Sequence, residues 1–259
     1  MTKLLFEKYP ILAATLGEDS ALPDIHVNSY IRANITVSDR VSDEDAKYIG
    51  KGMISSLLPY RISDSYTRER SVRDFNAAIL ENEYVRAVFL PELGGRLWSL
   101  IDKQTGKELL YDNSVGRPCN LAIRNAWLAG GVEWNAGYFG HHPYTCSLLN
   151  TALTSLDDGT PVLRMYHFER VRCIVVQMDF FLPEDSRLLM CRMRITNANN
   201  YVVPMYWWSN IAVVEKEGDR VIVPADYAYT NLAETDPYTG KTVPGVYKLD
   251  IPVYKGTDV

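Results

Sequence analysis

From Phe75 onward, turn signals divide the sequence into short runs of strand-forming residues, and this rhythm constrains the fold more than any other feature. Runs at 77–80, 84–90, 96–102 and 108–111 are separated by Glu81-Asn82-Glu83, by 91–95 and by 103–107, the last holding Thr105-Gly106. Connections this short join antiparallel neighbours, so the pattern predicts an antiparallel meander. A second series follows at 162–169, 172–182, 188–196, 203–215 and 220–223, with Asp157-Asp158-Gly159 and Glu217-Gly218-Asp219 as turns. No helix-period pattern of about ten residues or more competes with these runs. The predicted class is therefore all-β, a sandwich or barrel. Ahead of both series, Ile31, Ala33, Ile35 and Val37 alternate on one face of an expected strand. Residues 38–47 read as an acidic loop or short helix, and residues 1–28, with Pro10 and Pro23, as a poorly patterned lead-in.

Composition narrows the function classes. A net charge of −5 with no basic tract leaves nothing to neutralise a row of phosphates, so nucleic acid is not an expected partner. No apolar run approaches the roughly 18 residues of a membrane-spanning helix. Residues 1–20 do not resemble a secretory signal, which makes cytoplasm the default compartment. Cys119, Cys146, Cys173 and Cys191 form no C-x-x-C pair and no metal-ligand spacing, so free thiols and no cofactor are expected. The 17 Tyr and five Trp suit strands and sugar-facing surfaces alike.

Between the two series lies RNAWLAGGVEWNAGYFGHHPYTCS, residues 124–147. Four glycines and Pro143 predict an irregular loop there, and Trp127, Glu133, Trp134, Asn135, Tyr138, His141, His142 and Tyr144 crowd into it. Loops that carry titratable and aromatic groups on a rigid β scaffold are where sites usually sit. Opening a sugar ring requires one group to take the anomeric hydroxyl proton and another to protonate the ring oxygen. A histidine and a carboxylate serve those roles, which nominates Glu133 with His141 or His142; spacing does not choose between the histidines. The competing reading is that His141-His142-Pro143 only shapes a turn while Glu133 pairs with an arginine. Trp134, Trp127, Trp207 and Trp208 offer flat faces to a pyranose. Consecutive Trp207 and Trp208 on a strand must point oppositely, so one belongs to the core and the other is the candidate. Asn210 shares the face of Trp208 by period two. Arg96, after Gly94-Gly95, is aimed by a tight turn toward a salt bridge or a ligand. Asp226 and Tyr227 read as a solvated loop, while His26 and His167 have no companions in sequence. Neither His-x-His nor His-x-x-x-His spacing points to a metal.

Three stretches carry a resemblance to a known family: LENEYVRAVFLPELGGRLWSLIDKQTGKELLY at 80–111, RNAWLAGGVEWN at 124–135, and NYVVPMYWWSNIAVVEKEGDRVIVPADYAY at 200–229. Together they resemble a bacterial domain family of unknown function that often precedes tetratricopeptide repeats and is grouped with the galactose-mutarotase-like β-supersandwiches. The likeness runs from about residue 58 to the end, in matching order. It implies a mutarotase-like sandwich over 29–259 and a saccharide ligand. The late Tyr-x-Glu-x-Gln-type segment of that family is missing, which implies a sheet and a site incomplete at the C-terminal side. No tetratricopeptide pattern is present.

The expected activity is carbohydrate binding, with acid/base chemistry at an anomeric carbon through Glu133 and His141 or His142. Trp134, Asn135, Arg96, Trp208, Asn210 and Tyr144 are the expected substrate contacts. The alternative is a non-catalytic sugar-binding or assembly module. Residues 130–143 should fold over one sheet face and bring Glu133 and a histidine together. Glu133→Gln should then stop turnover with the melting temperature nearly unchanged. An incomplete sandwich should also self-associate through exposed sheet edges.

Overall fold

The longest ladder in the chain pairs β1 (Lys3–Ala14) antiparallel with β2 (Arg70–Glu81), from Lys3 opposite Glu81 to Ala14 opposite Arg70. The computed structural model describes residues 1–22, 37–39, 41–49, 56–111, 113–137, 140–232, 245–251, 253–254 and 257–258. β2 continues into the expected meander through β3 (Val85–Leu90), β4 (Arg96–Asp102) and β5 (Lys107–Glu108). A 3-10 turn, Pro91–Leu93, links β3 to β4 and ends on left-handed Gly94. β6 (Val115–Gly116) runs parallel to β1, and β7 (Cys119–Ala122) pairs with β8 (Asn125–Trp127). After β9 (Val132–Ala136) come the four strands of a second sheet: β10 (Asn150–Ser155), β11 (Pro161–Glu169), β12 (Ile174–Phe181) and β13 (Met190–Asn197). β14 (Trp207–Ile211) then returns to the first sheet, whose order is β14-β9-β4-β3-β2-β1-β6 with β5 beside β4. The fold is an all-β sandwich, as the sequence predicts.

Alternation along the strands builds the core. Ala78, Leu80, Ala87, Phe89 and Leu97 of the first sheet meet Leu163, Met165, Met178 and Phe180 of the second. Phe89 and Phe180 lie 4.6 Å apart between ring centroids. Each such buried ring is worth about 1.5–3 kcal/mol. The first sheet is also covered on its other face, where Ile11, Ala77, Ile79, Val88, Leu90, Trp98 and Leu128 cluster. Both faces being buried explains why β2 and β3 end in unbroken apolar runs.

Three expectations about elements need correction. Residues 3–14 are a full strand rather than a lead-in, and the first compact unit joins Met1–Val27 to Ser56–Val214. Pro10 hides the strand in the sequence, yet β1 is paired there on one side only, so its missing N–H breaks no ladder. The run 203–215 is strand only at β14, and 220–223 is not strand. Finally, much of the expected loop 124–147 is strand, β8 and β9. The strand expected at 31–37 lies outside the described residues, except Val37.

The second unit joins Asn28–Ser55 to Glu215–Val259. It holds a short helix, α1 (Asp43–Ala46), capped by the Ser42 side chain, which accepts from the Asp45 N–H. β15 (Tyr227–Leu232) and β16 (Gly245–Asp250) form an antiparallel hairpin, and β17 (Val253–Tyr254) pairs with β18 (Thr257–Asp258). Tyr229 donates to Asp45 Oδ2 at 2.6 Å. Tyr227 is thus part of a strand rather than a loop. Among the described residues no helix is long and apolar enough to cross a membrane.

Candidate functional site

The chain enters β9 through Gly130 and Gly131, with φ of 98° and 66°. A Cβ on Gly131 would lie 2.2 Å from the Leu97 carbonyl oxygen, so only glycine lets β9 draw in beside β4. The strand then alternates. Val132 and Trp134 join the core between the sheets, while Glu133 and Asn135 face the other way. β14 repeats the rule: Trp208 lies opposite Asn135 and Asn210 opposite Glu133 in the ladder. Trp207 turns inward and stacks on Trp134 at 6.2 Å. Trp207 is therefore the core residue of the pair, and Trp208 shares the outward face with Asn210.

On that face Glu133, with 2% of its side chain exposed, collects donors. Trp127 Nε1 donates to Oε2 at 3.1 Å, His141 Nδ1 lies 2.9 Å from Oε2, and the Thr145 hydroxyl donates to Oε1 at 2.5 Å. The Arg96 guanidinium stands 3.9 Å from Oε1, fully buried, donating to the Gly130 carbonyl and to Thr145 Oγ1. Burial pushes Glu133 toward its neutral form, but His141, the Arg96 charge and Thr145 outweigh it and hold the carboxyl down at about 2. Burial also draws the Arg96 pKa down, against the pull of Glu133. An ionised carboxylate only accepts, so neutral His141 carries its proton on Nδ1 and leaves Nε2 with a lone pair. The imidazole is 23% exposed and lies between two indoles, Trp127 at 5.5 Å and Trp208 at 5.2 Å. Trp208 Nε1 is buried with no hydrogen-bond partner in the described structure.

The structure thus separates the two histidines between which spacing does not choose. His142 is buried and points away from Glu133. Its N–H donates to Asn135 Oδ1, its Nδ1 accepts from the Tyr144 N–H at 3.0 Å, and its Nε2 sits 2.9 Å from His167 Nε2. With Nδ1 accepting, the His142 proton is on Nε2 and is donated to His167. The His167 proton is left on Nδ1, a buried atom without a partner in the described structure. Burial holds His142 well below the usual histidine value, helped by His167 and Arg124, and brings His167 to about 3. His167 does have a companion, one that nothing near it along the chain signals.

Other expected contacts also move. Trp134 faces the core and donates to the Gly95 carbonyl at 3.0 Å, on the opposite side of the sheet from Glu133. Tyr144 packs on His142 and His167, away from His141. Asn135 shares the Glu133 face but is fully buried, anchoring the His142 backbone. Arg96 is a buried counter-charge to Glu133. Tyr138 and His26 lie outside the described residues. Thr145 escapes sequence reasoning, because nothing along the chain marks a threonine twelve positions from its acceptor. Among the described residues no three His, Cys, Asp or Glu side chains converge as a metal would require.

A family model described as a domain of unknown function (DUF5107) matches residues 53–257. Among solved structures, the chain is similar to the crystal structure of a TPR-domain containing protein from Parabacteroides distasonis ATCC 8503, with a TM-score of 0.65 and 18% identity. That match covers 99% of this chain and 38% of the other, so this chain spans well under half the length of that protein. At such low identity the likeness concerns the fold alone.

Proposed function

The chain belongs to the DUF5107 family of domains of unknown function, and for it we propose a carbohydrate site in which His141, oriented by Glu133, moves a proton at an anomeric carbon. The observation that carries this is the 2.9 Å contact between His141 Nδ1 and a buried, ionised carboxylate, with Nε2 of the partly exposed imidazole making no hydrogen bond among the described residues. Trp127 and Trp208 on either side supply faces for the C–H surface of a sugar ring. In ring opening, Nε2 takes the anomeric hydroxyl proton and the C1–O5 bond breaks. Its electron pair stays on O5, which takes a proton from solvent. Reversal of these steps, with closure on either face of the carbonyl, exchanges the anomers and returns every proton. Glu133 stabilises the imidazolium and acts as a positioning residue, since a carboxyl held at about 2 is no proton donor near neutrality. Epimerase-like chemistry is favoured over glycoside hydrolysis, which usually places two carboxyl groups across the bond. The resemblance to galactose-mutarotase-like sandwiches supports the same class. The reading includes self-association through β14, the end strand of the first sheet, next to exposed Ile211, Val213 and Val214.

The test is anomer exchange of D-glucose, D-galactose and other reducing monosaccharides, followed by polarimetry and by exchange NMR. The protein should speed exchange of at least one sugar. His141→Gln should remove about 10²–10⁴ of that acceleration while leaving KM near the wild-type value. Binding without exchange would assign the chain to a sugar-binding module. Neither binding nor exchange across the panel would sink the proposal.

A further inference from the structure

A cavity opens on the outward face of the first sheet, over the β1–β2 ladder, and shares no residue with the Glu133 site. Its volume is about 100 Å³, and its apolar walls include Ile11, Phe75, Trp98 and Leu128. Two charged residues, Arg73 and Glu92, also line it. Neither has an opposite charge within 4 Å among the described residues. Half-buried Arg73 donates from Nη1 to the Thr15 hydroxyl at 2.6 Å, a neutral partner. Glu92 accepts on Oε1 from the backbone and side-chain amides of Asn76, again neutral groups. The nearby Lys8 ammonium donates to the side-chain oxygen Oδ1 of Asn76 at 2.6 Å.

An uncompensated guanidinium and an uncompensated carboxylate on one apolar cavity form a recognisable pattern. A simple carboxylic acid would pair with Arg73 but set a second negative charge beside Glu92. A simple amine would do the reverse, and a neutral molecule would leave both charges unmatched. Only a zwitterion compensates both at once. The volume equals that of about three waters at roughly 30 Å³ each, on the scale of a small branched side chain. We propose that this cavity binds an apolar α-amino acid, its carboxylate on Arg73, its ammonium on Glu92 and its side chain against Trp98.

Titration calorimetry on the whole chain tests this with L-valine, isobutyrate and isobutylamine. L-Valine should bind saturably, and each singly charged analogue should bind at least about tenfold more weakly, since a missing charge pair is worth that much or more. Arg73→Gln and Glu92→Gln should each weaken L-valine by a similar factor with the strand signal in circular dichroism intact. In the wild-type protein the Trp98 indole resonance should shift on titration, a readout that needs no variant. Absence of saturable L-valine binding up to about 10 mM would overturn the proposal. So would an analogue binding as tightly as L-valine, or an unmoved Trp98 signal.

Discussion

Glu133 is ionised, buried and close to a buried guanidinium, and that combination decides what its substitution does. Glu133→Gln leaves Arg96 charged and without its counter-ion, so the stability cost should be about 3 kcal/mol, measured by urea unfolding. This replaces the sequence-level expectation of an unchanged melting temperature and makes His141→Gln the cleaner kinetic variant. The acid limb of stability should separate two groups. Both buried histidines have folded pKa values below the ordinary 6.5, so the unfolded chain binds protons first as pH falls. Their contribution is complete above about 6.5 and is lost as pH falls, for His167 through about 3. The Glu133 contribution is complete above its ordinary 4.5 and is lost as pH falls through about 2. Unfolding free energy measured from pH 7 to 5 should therefore fall less steeply in His167→Gln than in wild type, whereas Glu133→Gln should keep the wild-type slope there. Equal slopes in wild type and His167→Gln would show that the imidazole pair is not neutral in the fold.

At the scale of elements, the junction between β8 and β9 controls the site. Gly131 sits at a φ of 66°, and an added Cβ would strike backbone 2.2 Å away, an obstacle that cannot rotate aside. Gly131→Ala should cost about 2–4 kcal/mol and displace β9, so that the proposed anomer exchange and stability fall together. A full-strength Gly131→Ala protein in urea unfolding would contradict the close approach of β9 to β4. β14 contributes through register alone. Because Asn210 faces Glu133 across the ladder, a slip of one residue would exchange Trp207 for Trp208 and remove the wall beside His141.

For the molecule as a whole, the proposed self-association concerns the end of the first sheet. Ile211 and Val213 are more than half exposed, on and just beyond an end strand paired only with β9 among the described strands. Edge pairing between copies should appear in sedimentation velocity as a mass that rises with concentration, and Ile211→Lys with Val213→Lys should suppress it. A strictly monomeric wild type at every concentration would end that expectation.

Strand rhythm, turn residues and the alternation of β2 through β5 are local properties, and they suffice to specify the class and the meander. Local chemistry also marks Glu133 and a neighbouring histidine, because charge and aromatic residues crowd between 124 and 147. The choice of His141 over His142 is not local. It depends on β9 being a strand with Glu133 outward, and on His167 arriving from β11 to take the other imidazole. Glycine density conceals β9, and Pro10 conceals β1, since propensity counts the weak residue but not the neighbour that tolerates it. Thr145, Arg96 and Trp127 converge on one carboxylate from separate segments of the chain. Only tertiary packing, which buries that charge and so demands its partners, could select them.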